Sequence, residues 1–343
     1  MSTRELEALF GVADVDDLDA IVEARIAALG LVPPRSLLED AHEHDAEVEE
    51  DIDVAEDDAD CEDEPVDARE LLWWLLKMAA HTHRRERSLR PEDPARIAAF
   101  EALVATRPEA DETHAQMVID ATSSLARARA IRARTNGSVL AVGDDDATVL
   151  ALALLDREAR GPGHATESVD ARAAVASVEP APLLAVADVD PAVLAFLLAA
   201  GKALGVSFDA QIADVFEDAP PSEWHERFDA AVTDPVRSYD ACLAFLDFAR
   251  ACVRPGGLVF LADHPDWNLE LPEVLDTCAA RGLRLVETLP LVHAYPIDAT
   301  WIPDPDAKVR ELATFGVDVD ASWLRRLVAA TRGCTHLYVL ERA

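Results

Sequence analysis

The sequence predicts an α/β fold, a doubly wound and mainly parallel sheet preceded by a small helical domain. Three observations predict it. From Ser138 onward, short apolar runs alternate with longer segments of helical periodicity. The first run, Ser138–Val142, passes through Gly143-Asp144-Asp145-Asp146 into an apolar helix starting near Thr148, which is the strand–turn–helix opening of a nucleotide-binding sheet. The last run, Thr335–Glu341, follows a helix and suits a closing antiparallel strand.

The elements follow in order. In residues 1–35, apolar Leu6, Leu9 and Phe10, then Leu18, Ile21, Val22, Ile26 and Leu29, recur at helical spacing, so Glu5 to Leu31 is expected to be helical until Pro33-Pro34 stops it. Residues 36–68 form an expected linker. From Glu39 to Asp67 it holds seventeen acidic residues and no Lys or Arg, too little apolar surface to offset the entropy of ordering. Residues 69–134 are expected as a helical domain. Its Leu71–Leu76 run is apolar enough to be buried or to join two subunits, and two more helices are expected over Ala95–Ala105 and Thr113–Arg134. Residues 135–343 are expected to carry the sheet. Its strands fall at Ser138–Val142, Leu183–Ala187, Asp209–Ala213, Asp229–Thr233, Leu258–Ala262, Arg284–Thr288 and Thr335–Glu341. Helices fit at Thr148–Arg157, Pro191–Leu204, Asp240–Val253, Leu271–Arg281 and Ala321–Thr331, and Gly161 to Pro180 reads as an inserted loop.

Composition narrows the function classes. The chain has 343 residues, half of them hydrophobic, and a formal net charge of −35, so a nucleic-acid-binding surface is not expected. Only Lys77, Lys202 and Lys308 are lysines. An acidic, lysine-poor chain resembles proteins of salt-loving organisms, in which concentrated salt screens self-repulsion. The five cysteines form no CxxC pair and read as buried thiols. No apolar run approaches the ~20 residues of a membrane span, and no signal-type core follows Met1, so a cytoplasmic protein is expected. His81-Thr82-His83 lacks a third ligand at a metal-binding spacing, and no metal is expected.

In such a sheet ligands bind beyond the carboxyl ends of the strands. Gly143 and Asp144 to Asp146 follow the first strand, Asp188-Val189-Asp190 the second, and Asp214 the third. A carboxylate after the second strand suits the two hydroxyls of a ribose, and one after the third suits an adenine amino group. Thr233-Asp234-Pro235 follows the fourth strand, where a carboxylate can hold an amine with its lone pair aimed at an electrophile. His264 and Trp267 follow the fifth and could line the acceptor pocket. Together these point to a Rossmann-like, class I S-adenosylmethionine-dependent transferase sheet. The triple-Asp turn sharpens the choice of donor. Three carboxylates repel the carboxylate of S-adenosylmethionine and favour its decarboxylated form, which keeps only the ammonium and the sulfonium. At about 4 Å and an effective dielectric near 20, each charge pair is worth about 4 kcal/mol before desolvation.

Gly143-Asp144-Asp145-Asp146, Asp188-Val189-Asp190, Phe228-Asp229 and Thr233-Asp234-Pro235 resemble the catalytic domain of the N4-bis(aminopropyl)spermidine synthases, the branched-chain polyamine synthase family. The resemblance covers residues 111–296. It implies transfer of an aminopropyl group from decarboxylated S-adenosylmethionine to an amine of a polyamine-like acceptor, with release of methylthioadenosine and no metal. It implies that Asp144, Asp145 or Asp146 supplies the catalytic carboxylate, that Asp234 holds the acceptor with Thr233 and Pro235, and that Gly143, Asp188, Asp190 and Asp214 bind the donor. A winged-helix-like module ahead of the catalytic domain is also implied, for which residues 69–134 are available. The family reads Thr-Asp-Pro-Pro followed by an acid. Here Val236 replaces the second proline and Arg237-Ser238 follow, which sets a cation beside the acceptor site. A methyltransferase using intact S-adenosylmethionine is the alternative on the same fold, and a non-catalytic regulator contacting its partner through His81 to Arg90 is a third reading. The expected partners are a small cationic amine and, through the Trp73-Trp74 helix, a second copy of the chain.

Overall fold

A computed structural model of the chain describes residues 67–114, 116–160, 183–297 and 304–343, with Ile302 and single positions between 22 and 31. Val22, Ala24 and Ile26 to Ala28 are helical. The expectations for residues 1–21, for the acidic stretch up to residue 66 and for the 161–180 loop lie outside the described residues. The described residues fall into two compact units, one within the range up to Ser88 and within Pro296–Gly333, the other within Leu89–Tyr295 and Cys334–Ala343. The segment 69–134, expected as one domain, is divided between them.

In the first unit, α1 (Ala68–Ser88) packs on two helices from the later segment. The Ala68 N–H donates to Glu311 at 3.0 Å, and the Arg69 guanidinium lies 5.1 Å from the Phe315 ring centroid. Leu72, Trp73 and Leu76, expected as buried or as a subunit contact, are buried within the single chain.

The second unit carries α2 (Pro94–Val104), α3 (Ala121–Arg132) and the sheet. The sheet's sequence runs β1 (Val139–Val142), α4 (Thr148–Arg160), β2 (Leu184–Asp188), α5 (Pro191–Leu204), β3 (Asp209–Ile212), β4 (Phe228–Thr233), α6 (Tyr239–Cys252), β5 (Val253–Asp263), α7 (Leu271–Ala280) and β6 (Leu283–Pro296). Helices α8 (Pro305–Thr314) and α9 (Ala321–Ala330), the partners of α1, precede β7 (Arg332–Arg342). The strand order is β3-β2-β1-β4-β5-β7-β6. Strands β1 to β5 pair in parallel and β7 runs antiparallel to β5, as expected of a Rossmann-like class I transferase sheet.

Strand β1 is central because all four of its side chains are apolar and buried. Val139 and Ala141 join the core on one face, Leu140 and Val142 that on the other, as the two-residue period of a doubly covered strand demands. Val142 registers with Ala187 on β2 and with Thr233 on β4. Gly143, Asp188 and Asp234 therefore emerge at one level, where the strand order reverses and a crevice opens. Four cysteines, Cys242, Cys252, Cys278 and Cys334, are buried free thiols. No helix among the described residues is long and apolar enough to cross a membrane.

Two expected elements change in ways that build the site. The helix expected over Thr113–Arg134 begins only at Ala121, after a single 3-10 turn at Glu112–His114. Asp120 is the reason, since its carboxylate accepts from the Ser123 N–H at 2.7 Å as an N-cap. The sixth strand, expected to end at Thr288, runs on to Pro296. The strand passes through Pro290 because β6 lies at the sheet edge, where a missing N–H is tolerated. Leu291 follows at φ 51°, a kink in the strand rather than its end.

Candidate active site

The turn after β1 gives its three aspartates three different jobs. Gly143 opens it at φ 69°, and a Cβ there would lie 3.1 Å from the Phe245 ring, so glycine is required. The Ala147 N–H donates to the Asp144 carbonyl at 3.0 Å, which puts Asp145 and Asp146 at the tip of a tight turn. Ala147 itself holds φ 56°, a left-handed conformation costly for a residue with a Cβ.

Asp144 is the helix cap. Its two oxygens accept from the Thr148 N–H at 2.7 Å and the Val149 N–H at 3.0 Å, at the start of α4. Burial pushes its carboxyl up to about 7 in spite of those bonds. Asp146 is a counter-ion. It accepts from the Ile119 N–H at 2.8 Å and pairs with Arg127 at 2.9 Å, and burial, offset by Arg127, brings its carboxyl to about 6. Asp145, half-buried, makes no side-chain hydrogen bond among the described residues. Burial, then the charges of Asp146, Asp234, Asp188 and Asp144, hold its carboxyl well above the ordinary range.

Asp188, at the end of β2, accepts from the Asp144 N–H at 2.8 Å and the Asp190 N–H at 2.9 Å, so it holds the turn in place. Burial raises its carboxyl. Asp190 caps α5 through the Ala192 N–H at 2.7 Å and also accepts from Gln116 at 3.2 Å. Asp214 faces its own turn, accepting from the Phe216 N–H at 2.9 Å.

At the end of β4, the Thr233 hydroxyl donates to the Val142 carbonyl at 3.0 Å and ties β4 to β1. Asp234 follows. Its Oδ2 accepts from Arg127 at 2.5 Å and from the Tyr295 hydroxyl, and Pro235 is buried behind it. Arg127 is the hub. It is 1% exposed and also donates to His293 Nε2 at 2.9 Å and to the Thr148 hydroxyl at 3.2 Å. The His293 ring is thereby assigned its tautomer, with Nδ1 carrying the proton toward Thr335 at 2.9 Å. Burial opposes the charge of Arg127, and Asp146 and Asp234 more than restore it.

Beyond Asp234, Arg237 lies with its guanidinium 5.2 Å from the Tyr295 ring centroid. At the end of β5, Asp263 is fully buried and accepts from the Asn268 amide and the His264 N–H, each at 2.7 Å. Burial raises its carboxyl to about 6. His264 Nδ1 accepts from the Asp266 N–H at 3.0 Å and its ring meets His336 edge-on at 4.4 Å, while the Trp267 indole donates to the Cys334 carbonyl at 2.8 Å. Both are thus held against β7. On the other side of the turn, half-buried Arg107 donates to the Asp145 carbonyl at 3.4 Å, and burial lowers its pKa.

The structure therefore gathers Gly143, Asp144, Asp145, Asp146, Asp188, Thr233 and Asp234 at one sheet edge. Sequence reasoning gave no place to Arg127, Arg107, His293 or Asp263, and no role to Tyr295. Arg127 had a legible signal. It falls between Ser124, Ala128 and Ile131 on the apolar stripe of α3, where an arginine needs buried partners.

No family model and no curated protein matches the chain. Among solved structures, it resembles the branched-chain polyamine synthase from Thermus thermophilus in complex with N4-aminopropylspermidine and 5′-methylthioadenosine. The identity is 21%, the TM-score is 0.52, and the match covers 72% of this chain and 63% of that one. A C9 mutein of that synthase, with the same two molecules, matches at 19% identity and TM-score 0.53, over 78% of this chain and 79% of its own. A ribosomal protein L11 methylase from Lactobacillus delbrueckii subsp. bulgaricus matches at 12% identity and TM-score 0.36, over 64% and 78%. At these identities the likeness to the synthase establishes a shared fold.

Proposed function

We propose that the chain is an aminopropyltransferase, moving an aminopropyl group from decarboxylated S-adenosylmethionine to an amine and releasing methylthioadenosine. The observation that carries this reading is Asp145, an uncommitted carboxylate at the tip of the β1–α4 turn, surrounded by Asp144, Asp146, Asp188 and Asp234. Such a group suits two tasks. It attracts a donor tail that carries only positive charge, and its raised proton affinity lets it take a proton from an attacking ammonium near neutral pH. The synthase of the same fold, whose complex holds N4-aminopropylspermidine and 5′-methylthioadenosine, is consistent with that chemistry.

The balance of the step is simple. The acceptor nitrogen, deprotonated toward Asp145, forms a bond to the tail carbon beside the sulfonium. The carbon–sulfur bond breaks and the sulfur leaves with its electron pair as a neutral thioether. A sulfonium leaves without metal assistance. Asp188 would take the ribose hydroxyls on the lone pairs its backbone bonds leave. Asp234 would face the acceptor through Oδ1, because its Oδ2 is occupied by Arg127 and Tyr295.

A methyltransferase reading keeps one observation in its favour. Arg107 stands beside the turn and could pair with the carboxylate of intact S-adenosylmethionine. Calorimetry in concentrated salt separates the two, followed by mass analysis of the product. The decarboxylated form should bind at least about tenfold tighter, a difference of about 1.4 kcal/mol. Tighter binding of the intact form would replace aminopropyl with methyl transfer.

A further inference from the structure

We propose that the acceptor is not a linear polycation but an amine that also carries a carboxylate, and that Arg237 is the residue that selects it. This rests on the aminopropyltransferase reading and concerns the acceptor side alone.

The charges on that side are already committed. Asp234 gives its Oδ2 to Arg127 and Tyr295. Asp263 is sealed by the Asn268 amide, the His264 N–H and the Cys242 thiol. Asp146 faces Arg127 and the Ile119 N–H. Each ammonium of a polyamine acceptor is best met by a carboxylate, but Asp146 and Asp263 have spent theirs inside the protein and Asp234 keeps only Oδ1, enough for the reacting nitrogen alone. Arg237 is the opposite case. Among the described residues no carboxylate forms an ion pair with its guanidinium; burial opposes its charge, and Tyr295 with the more distant Asp234 and Asp263 more than restores it. Arg237 is half-buried and rests on the Tyr295 ring, whose hydroxyl ends on Asp234. The guanidinium is held against Tyr295 by ring contact and by a hydrogen bond to that side chain. It carries five N–H donors, so donors remain to grip a carboxylate by two parallel hydrogen bonds. The residue after Asp234-Pro235-Val236 therefore offers a cation where a polycation would need an anion. Tyr295 links that cation to the carboxylate that would hold the reacting nitrogen. An acceptor with an amine at one end and a carboxylate near the other satisfies both groups, whereas a linear triamine is repelled by one of them.

The test uses a matched pair of probes, ornithine and 1,4-diaminobutane, which differ only by the carboxylate, with spermidine as the polycation. Each is titrated calorimetrically into the full chain in concentrated salt with methylthioadenosine present, and each is assayed with decarboxylated S-adenosylmethionine for methylthioadenosine release. The wild type should favour ornithine over 1,4-diaminobutane by about 10- to 100-fold, as a charge-assisted pair implies, and spermidine should be the poorest ligand. Arg237→Gln should erase or invert that ratio in both measurements while leaving the donor's KM unchanged. Tyr295→Phe, which keeps the ring under the guanidinium, should preserve the ratio. A wild type that prefers 1,4-diaminobutane or spermidine, or an Arg237→Gln ratio equal to that of the wild type, would overturn the proposal. The two readings fail separately. If no amine releases methylthioadenosine, the transfer reading falls, while the calorimetric ratio still decides whether Arg237 selects a carboxylate.

Discussion

The β1–α4 turn and the β4 end carry the same kind of residue and use it in opposite ways. On the turn, Asp144 and Asp146 are consumed by the fold so that Asp145 can stay uncommitted. At the β4 end, Oδ2 of Asp234 is consumed by Arg127 and Tyr295, and the group without an ion-pair partner among the described residues is the cation Arg237, held against Tyr295. Carboxylate count is thus a poor guide to the charge a ligand meets. Lone pairs left after internal bonding are what a ligand meets, and they differ in sign of demand across a single crevice.

Asp145→Asn probes the turn with the largest expected effect. Turnover should fall by about 10²- to 10⁴-fold, the span of a lost general base, while denaturant unfolding shifts by no more than about 1 kcal/mol because no hydrogen bond is lost. In the wild type, turnover should rise with pH through an ionisation well above the usual carboxylate range, and that limb should vanish in the variant. Unchanged single-turnover rates would move the base elsewhere.

Arg127→Met breaks the link between the two regions. It strands Asp146 and Asp234 as buried charges, and the unfolding free energy should drop by about 3–5 kcal/mol. A loss under about 1 kcal/mol would mean that the two carboxylates are not held by a common cation.

A smaller effect comes from Asp144, whose carboxyl is held up to about 7 against about 3.9 in an unfolded chain. The folded state binds the extra proton between those values, so this group's stabilising contribution is present below about pH 4 and is lost as pH rises to about 7. Asp146 and Asp263, each near 6, act in the same direction. Unfolding titrations across that window should show stability falling less steeply in Asp144→Asn than in the wild type, and parallel curves would refute the assignment.

Tyr295→Phe should cost least. It removes one hydrogen bond to Asp234, about 0.5–1.5 kcal/mol, measurable by thermal or chemical unfolding. A much larger loss would show that Tyr295, rather than Arg127, keeps Asp234 in place.

Much of the frame was legible in residues alone. The apolar run Val139–Val142, the Gly143 turn and the helix opening at Pro191 are local signals, each decided within a few residues, and the structure places strands and helices there, with Asp190, read in sequence as a donor-binding residue, serving as that helix's cap. The acidic groups at the strand ends were likewise visible because a parallel sheet with known crossovers brings consecutive strand ends to one edge. The site's partners were not. Arg127 reaches Asp234 across 107 residues and His293 across 166, and Tyr295 reaches Asp234 across 61. Tyr295 and His293 lie beyond Pro290, where the strand pattern reads as finished although an edge strand can continue past a proline.

From its residues the chain determines a doubly wound sheet with aspartates on its ligand-binding edge, because strand periodicity, turn glycines and helix caps act over short distances. Tertiary structure alone decides which aspartate remains free. Asp144, Asp145 and Asp146 are chemically identical in sequence. The backbone amides of α4 make one a cap, the buried guanidinium of Arg127 makes another a counter-ion, and the third, Asp145, makes no side-chain hydrogen bond among the described residues.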